Sequence, residues 1–446
     1  MIHYVAQRPQ EETVVTRRNF GTVPPVSATS AVDACLEMID RRDAELHAWV
    51  DVDRDGARRA AAALDTEAGA ERAHRPLHGV PVALKDIFDA AGMITTSGAR
   101  PFAHRRPEHD APAVAALRAA GAVILGKTVT TEFAFADPSV TRNPWNLEHT
   151  PGGSSSGSAA AVAAGMAQVA LGSQTIGSTV RPAAYCGIVG FKGTYGRVST
   201  EGVTPLSWSL DHVGIFARSV DDAARVFSVL AGEPNAAPPE RSLQPGHPPR
   251  LAVPRTWIEA VASPDIRTHL NEVVSLLSRA GARIEDVVLP ASASRIDADG
   301  RLVLCVEAAA YHSRWFSAHG SEYGPRIREL VDSGLGVAAI EYIRAHEARY
   351  QFRRDMSAVF DAHDALLLPS APTPAPPRSE NTTGDPVFCA PWSFAGFPAI
   401  ALPSGLAPSG LPLSIQLAGP VGADARLLET ARWCETRLGF TAAPPP

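Results

Sequence analysis

The chain has 446 residues, 45% of them hydrophobic and 20% charged, with a formal net charge of −6. This is ordinary globular composition; the sign of the charge argues against a nucleic-acid surface, and no apolar run reaches the ~18 residues of a membrane span. The five cysteines, Cys35, Cys186, Cys305, Cys389 and Cys434, are odd in number, widely spaced and without a CxxC pair. Neither a disulfide framework nor a zinc cluster is expected, and burial as small hydrophobes in a reducing cytoplasm is.

Residues 1–28 are mixed and polar and read as an N-terminal arm. They lack the apolar core of a secretion signal, so a cytoplasmic location is expected. A first helix should start at Ser27 to Ser30 on a Ser or Thr cap, and an Ala/Arg-rich helix should follow over 53–64. Val80-Pro81-Val82-Ala83-Leu84 reads as a buried strand that ends at Lys85. A lysine there is either a snorkelling surface residue or a buried base, and the residues alone leave both open.

Gly121 to Thr128 matches the phosphate-loop pattern GxxxxGK[ST] letter for letter. Such a loop needs a strand before it and a helix after it. Here the apolar strand lies between the two glycines, so the match is read as a strand end.

The most informative stretch is Thr150 to Thr194. A Gly-Ser turn at 152–158 leads into a small-residue helix over 159–165, a short apolar strand at 169–171, and a second tight loop, Gln174-Thr175-Ile176-Gly177-Ser178, closed by Arg181-Pro182. The alternative of a flexible Gly-Ser linker fits poorly, because apolar sequence continues on both sides. Gly153 to Gly157 also matches GxSxG, which would make Ser155 an elbow nucleophile of an α/β-hydrolase-type esterase. That reading needs a preceding strand and a later histidine. The preceding residues are loop-like, and the candidates His312, His319, His346 and His363 read as surface or packing residues.

Further on, strands are expected at 251–254, 283–289, 364–369, 399–403 and 413–417, and helices over 263–281, much of 301–363, and 424–438. Gly232 to Arg250 reads as a surface connection. Alternating strands and helices point to an α/β architecture.

Taken together, Gly79 to Asp86, the GGSSxGS turn, the loop ending Gly177-Ser178, Cys186-Gly187, Gly190-Phe191-Lys192 and Ser209-Leu210-Asp211-His212 resemble the amidase signature family. The resemblance implies a single domain over 29–446: a mixed, twisted central sheet with helices on both faces. Its signature core spans about 79–220, and a divergent helical region at about 300–363 shapes the pocket. It implies Ser178 as nucleophile, Ser154 as bridging serine with a cis peptide bond, and Lys85 as general base. The backbone N–H groups of Thr175, Ile176, Gly177 and Ser178 would form the oxyanion hole, with Gly153 and Ser155 in support, Ser155 holding Lys85. No metal or organic cofactor is implied.

Gln174, Ile176, Arg181 and Gly193 depart from the commonest family pattern and resemble a Q-T-x-G-S subgroup with diverse substrates. The apolar and aromatic segments expected near Ser178 suggest a neutral, hydrophobic aryl or alkyl amide. A carbamate, urea or hydrazide is the next choice, and a non-catalytic binding protein the alternative of another class. Candidate pocket residues are Thr130, Phe133, Trp208, Trp392, Tyr311 and Trp315. The expected partner is a small molecule, with no nucleic acid and no membrane, and the chain is expected to be a monomer or homodimer.

Overall fold

The computed structural model describes residues 27–67, 74–233 and 248–445. The N-terminal arm thus lies almost wholly outside the described residues, as do positions 234–247 of the expected surface connection.

Eleven strands form one mixed sheet. In chain order they are β1 (Trp49–Val52), β2 (Pro81–Lys85), β3 (Val123–Thr128), β4 (Val169–Gln174), β5 (Val189–Lys192), β6 (His212–Ala217), β7 (Arg250–Val253), β8 (Arg283–Asp286), β9 (Ala365–Pro369), β10 (Ala399–Leu406) and β11 (Pro412–Ala418). Their spatial order is β1-β3-β2-β4-β6-β5-β10-β11-β9-β7-β8. Strand β2 runs parallel to both β3 and β4, whereas β4, β6, β5, β10, β11 and β9 pair antiparallel in succession.

Side-chain alternation along each strand divides the core. Val82, Leu84, Ile124, Leu171 and Ile215 join one cluster, while Ala83, Val123, Leu125, Ala170 and Phe216 join the other. The second face is covered by the helices Ala28–Leu46, Arg54–Asp65, Ser156–Ala163 and Val180–Cys186. The first is covered by, among others, Pro112–Ala119, Val220–Leu230, Ile296–His312 and Asp424–Leu438. The fold is therefore the expected α/β sheet with helices on both sides.

Most expected elements are present. Ser27 caps the first helix by accepting the Ser30 N–H at 3.0 Å, and the last helix spans the expected residues. Strands β1, β5 and β6 have no counterpart among the expected elements. Gly190 and Gly214 interrupt two of these runs and lower their strand propensity. Strand β8 is shorter than expected and carries Arg283, Glu285 and Asp286 exposed on an edge, the pattern that keeps an edge from pairing with another chain. All five cysteines are free and buried.

The helix Ser156–Ala163 is buried along almost its whole length. A Cβ added at Gly157 would lie 2.3 Å from the Ala48 carbonyl oxygen and 2.5 Å from the Val129 nitrogen. Only glycine permits that approach, and it places the start of the helix against the residue before β1 and the residue after β3.

Candidate active site

The C-terminal ends of β2 and β4 carry the centre of the site. Lys85, the last residue of β2, is fully buried. Its Nζ donates to Ser154 Oγ at 2.7 Å and to Ser173 Oγ at 2.8 Å. Burial pushes the ammonium down to about 7, opposed by the Asp211 carboxylate. Ser154 follows a cis peptide bond from Gly153.

Ser155 is placed differently from the expectation. Its hydroxyl donates to the Ser173 carbonyl at 3.2 Å and accepts the Ser173 N–H at 3.3 Å. It pins the end of β4, and Ser173, not Ser155, is the second hydroxyl on Lys85. Gly172 makes this possible, since a Cβ there would sit 2.7 Å from Ser155 Oγ.

The loop from Gln174 to Ser178 is held from three sides. Gln174 Oε1 accepts the N–H groups of Thr179 and Val180, each at 2.9 Å. Its Nε2 donates to Ser393 Oγ at 2.9 Å, and Ser393 Oγ donates to the Ile176 carbonyl at 2.7 Å. Thr175 Oγ1 donates to Asp211 Oδ1 at 2.5 Å. The carboxyl of Asp211 is pushed up to about 6, first by burial. Arg181 Nη2 joins the two turns by donating to the Gly153 carbonyl at 2.8 Å and to Thr383 Oγ1 at 3.1 Å. Gln174 and Arg181, departures from the common pattern, are thus structural members of the loop.

Two cavities open beside this loop. One, of about 330 Å³, is lined by Thr175, Ile176, Phe135, Leu210, Leu330, Phe394 and the first turns of the helix Ile296–His312, with Asp297, Arg301 and Asp385 as its charged members. The other, of about 320 Å³, is lined by Ser173, Thr175, the segment 200–206, Trp208, Asp211 and His212. Ser178 lines neither, but its loop neighbours line both.

The family model described as Amidase matches residues 30–428. This chain belongs to the amidase family. It is a hydrolase acting on carbon–nitrogen bonds. It is 36% identical to a glutamyl-tRNA(Gln) amidotransferase subunit of Anaeromyxobacter dehalogenans (strain 2CP-C), over 94% of this chain and 95% of the relative. A crystal structure of an amidase superposes with a TM-score of 0.84 at 33% identity, covering 93% of this chain and 97% of that one. The peptide amidase from Stenotrophomonas maltophilia superposes with a TM-score of 0.79 at 30% identity, covering 94% and 95%.

Of the candidate pocket residues, only Trp208 lines either cavity of this amidase. Phe133 is fully buried, with Phe102, His312 and Tyr323 rings at 5.4, 4.6 and 5.0 Å. Tyr311 and Trp315 pack on each other at 5.1 Å and on His312. Trp392 is fully buried beside Trp257 and Phe397 and donates its Nε1 to the Phe388 carbonyl at 2.8 Å. Thr130 is buried, its hydroxyl on the Thr131 carbonyl. For Tyr311 the reason is helical rise. The cavity meets Ile296, Gly300 and Leu304, one face at i, i+4, i+8, and Tyr311 lies about 10 Å further along the axis. That spacing is the signal the sequence offers.

The elbow reading fails on geometry. Ser155 is preceded by loop, and its hydroxyl meets only the backbone of Ser173. His312 lies in the aromatic cluster, its pKa pushed down to about 4 by burial. His319 pairs with Glu322, His346 lies near Glu307, and His363 meets Val359 and Glu285. The phosphate-loop match also resolves as read: Gly126, Lys127 and Thr128 lie within β3, and buried Lys127 faces Asp86 at 3.2 Å.

Proposed function

We propose that the chain hydrolyses a neutral, hydrophobic amide through a seryl acyl-enzyme, with Ser178 as nucleophile, Ser154 as proton bridge and Lys85 as base. The observation that carries this reading is Lys85: fully buried, brought down to about 7, and bonded to two hydroxyls. Near neutrality such an amine is neutral in a sizeable fraction of molecules and can take a proton.

In the proposed cycle Ser178 Oγ attacks the amide carbon while its proton passes to Ser154 Oγ and that of Ser154 passes to Lys85 Nζ. The N–H groups of residues 175–178 receive the developing oxyanion, a contribution of several kcal/mol. Collapse breaks the carbon–nitrogen bond, and the amine leaves with the relayed proton. Water then repeats the relay to release the acid. The apolar walls Phe135, Ile176, Leu210, Leu330 and Phe394 support a hydrophobic substrate. A carbamate, urea or hydrazide would use the same relay.

A second reading is favoured by the 36% identity to one component of an amidotransferase: this chain would then work with partner subunits, whereas the first reading asks only for a monomer or homodimer in the cytoplasm. Nitroanilides, nitrophenyl carbamates and primary amides should be screened with Ser178→Ala as blank, and a fluorophosphonate adduct mapped. Turnover by the purified chain and an adduct on Ser178 support the first reading. An adduct on Ser155, or no turnover without added subunits, overturns it.

A further inference from the structure

A six-residue strap, Leu206 to Asp211, stands over the nucleophile loop, and its polar groups are tied down from several directions. The N–H groups of Leu206 and Ser207 donate to Asp211 Oδ2 at 2.9 and 3.0 Å. Ser207 Oγ and the Ser209 N–H donate to Glu307 Oε2 at 2.6 and 2.9 Å. The Tyr195 hydroxyl donates to the Trp208 carbonyl at 2.8 Å, and Arg349 Nη2 to the Ser209 carbonyl at 2.9 Å. Glu307 is fully buried, belongs to no sequence motif, and accepts the Tyr342 hydroxyl at 2.7 Å on its other oxygen.

The strap has two faces. Leu210 lines the cavity of about 330 Å³, whereas Leu206 and Trp208 line the one of about 320 Å³. Thr175 lines both, and its hydroxyl bonds to Asp211 at the foot of the strap. We propose, resting on Ser178 as nucleophile, that the strap divides the site into two chambers, that the substrate is an N-substituted amide with a carbon group on each side of the scissile bond, and that Glu307 is the positioning residue that holds the partition.

Each volume falls at the lower end of small-ligand pockets and accommodates a ring or a short chain. A primary amide fills only one chamber. The two differ in chemistry. The first has mostly apolar walls, Phe135, Leu304 and Phe394 among them, with Asp297, Arg301 and Asp385 as its charged members, and suits a chiefly apolar group. The second contains Glu201, Thr204 and His212. His212 is buried, with its Nδ1 on the Gln174 carbonyl at 3.2 Å. With Ser173, Thr200, Glu201 and Thr204 also in its lining, the second chamber has the larger share of polar side chains, so a more polar group belongs on that side.

The test uses two substrate series, one with growing acyl groups on a fixed amine and one with growing amines on a fixed acyl group. Gly300→Leu fills the first chamber; an added Cβ there meets nothing closer than 3.4 Å, the ring of Phe394. Thr200→Phe fills the second. Each plug should lower kcat/KM at least tenfold more for the long members of one series than for that series' shortest member, a different series for each plug. Both plugs acting on the same series, neither acting, or a primary amide turning over as fast as its N-substituted counterpart would overturn the proposal. Labelling of Ser178 by a small fluorophosphonate reports separately on the nucleophile. Glu307→Gln keeps the side chain's size. It should raise KM about tenfold for long members of both series, with kcat for the shortest member and the labelling rate within twofold. A lower melting temperature with unchanged long-to-short KM ratios would make Glu307 merely structural.

Discussion

Lys85 and Lys192 are both fully buried and both brought down to about 7, chiefly by burial, yet they sit in regions built for different ends. Lys85 Nζ meets two hydroxyls. Lys192 Nζ meets two carbonyl oxygens, of Gly193 and Phe397, which accept hydrogen bonds and have no proton to give. Lys127, one strand from Lys85, completes the series. It faces the Asp86 carboxylate at 3.2 Å, the Phe88 carbonyl and the Thr95 hydroxyl. Burial makes the ammonium easier to deprotonate in all three places; only the neighbours decide whether it can exchange a proton with a reacting group.

The widest separation should come from paired substitutions. Lys85→Met, like Ser178→Ala, is expected to lower kcat/KM by at least about 10³-fold while circular dichroism stays native. Lys192→Met should keep kcat within tenfold. Equal losses in the two lysine variants, measured on one anilide, would erase the distinction.

Asp86→Asn should next separate pairing from catalysis. It leaves Lys127 without its counter-charge, and breaking a buried pair costs about 3–5 kcal/mol. Denaturant unfolding should register that loss, with kcat nearly retained. Lys192→Met strips two carbonyls of their donor and should cost less, about 1–3 kcal/mol.

The pH profile gives a smaller, graded effect. The base must be neutral, so kcat/KM should rise about tenfold per pH unit below 7 and level off above it, with an apparent pKa belonging to the coupled Lys85–Ser154 system. Stability carries the same sign. Lys85 drops from 10.5 to about 7 on folding, so between those values the unfolded chain binds the extra proton. Its contribution is fully present above 10.5 and is lost as pH falls towards 7. Lys85→Met should therefore gain stability relative to wild type at pH 7 more than at pH 9.5, as paired unfolding curves would show.

How much of the molecule is legible in the sequence follows from how local each feature is. Lys85 at a strand end, the two Gly-Ser turns and the Ser27 cap are set by neighbours within a few residues, and all are readable as such. Ser173 is not, because the apolar part of β4 ends two residues short of it. The pocket walls come from residues as far apart as Phe135, Leu304 and Phe394, and no local pattern says which turn of a helix will face a cavity. Large aromatics stand out in a sequence, yet they are the side chains that gain most from full burial, and Phe133 and Trp392 belong to the core. Glu307 is hidden for the opposite reason: a charged residue in a helix reads as solvated until its partners are seen.

The buried helix Ser156–Ala163 carries a consequence for engineering. Its Ser-Gly-Ser-Ala-Ala-Ala side chains make it a spacer of fixed thickness, and with a carbonyl 2.3 Å from the position of a Gly157 Cβ the spacer has no slack. A mutational library aimed at new substrates should therefore leave 156–163 untouched, since enlargement there would displace Ser154 from Lys85. Diversity belongs in the first turns of the helix Ile296–His312. There Asp297, Gly300 and Arg301 line the cavity without being buried in the core, so they are the positions to vary.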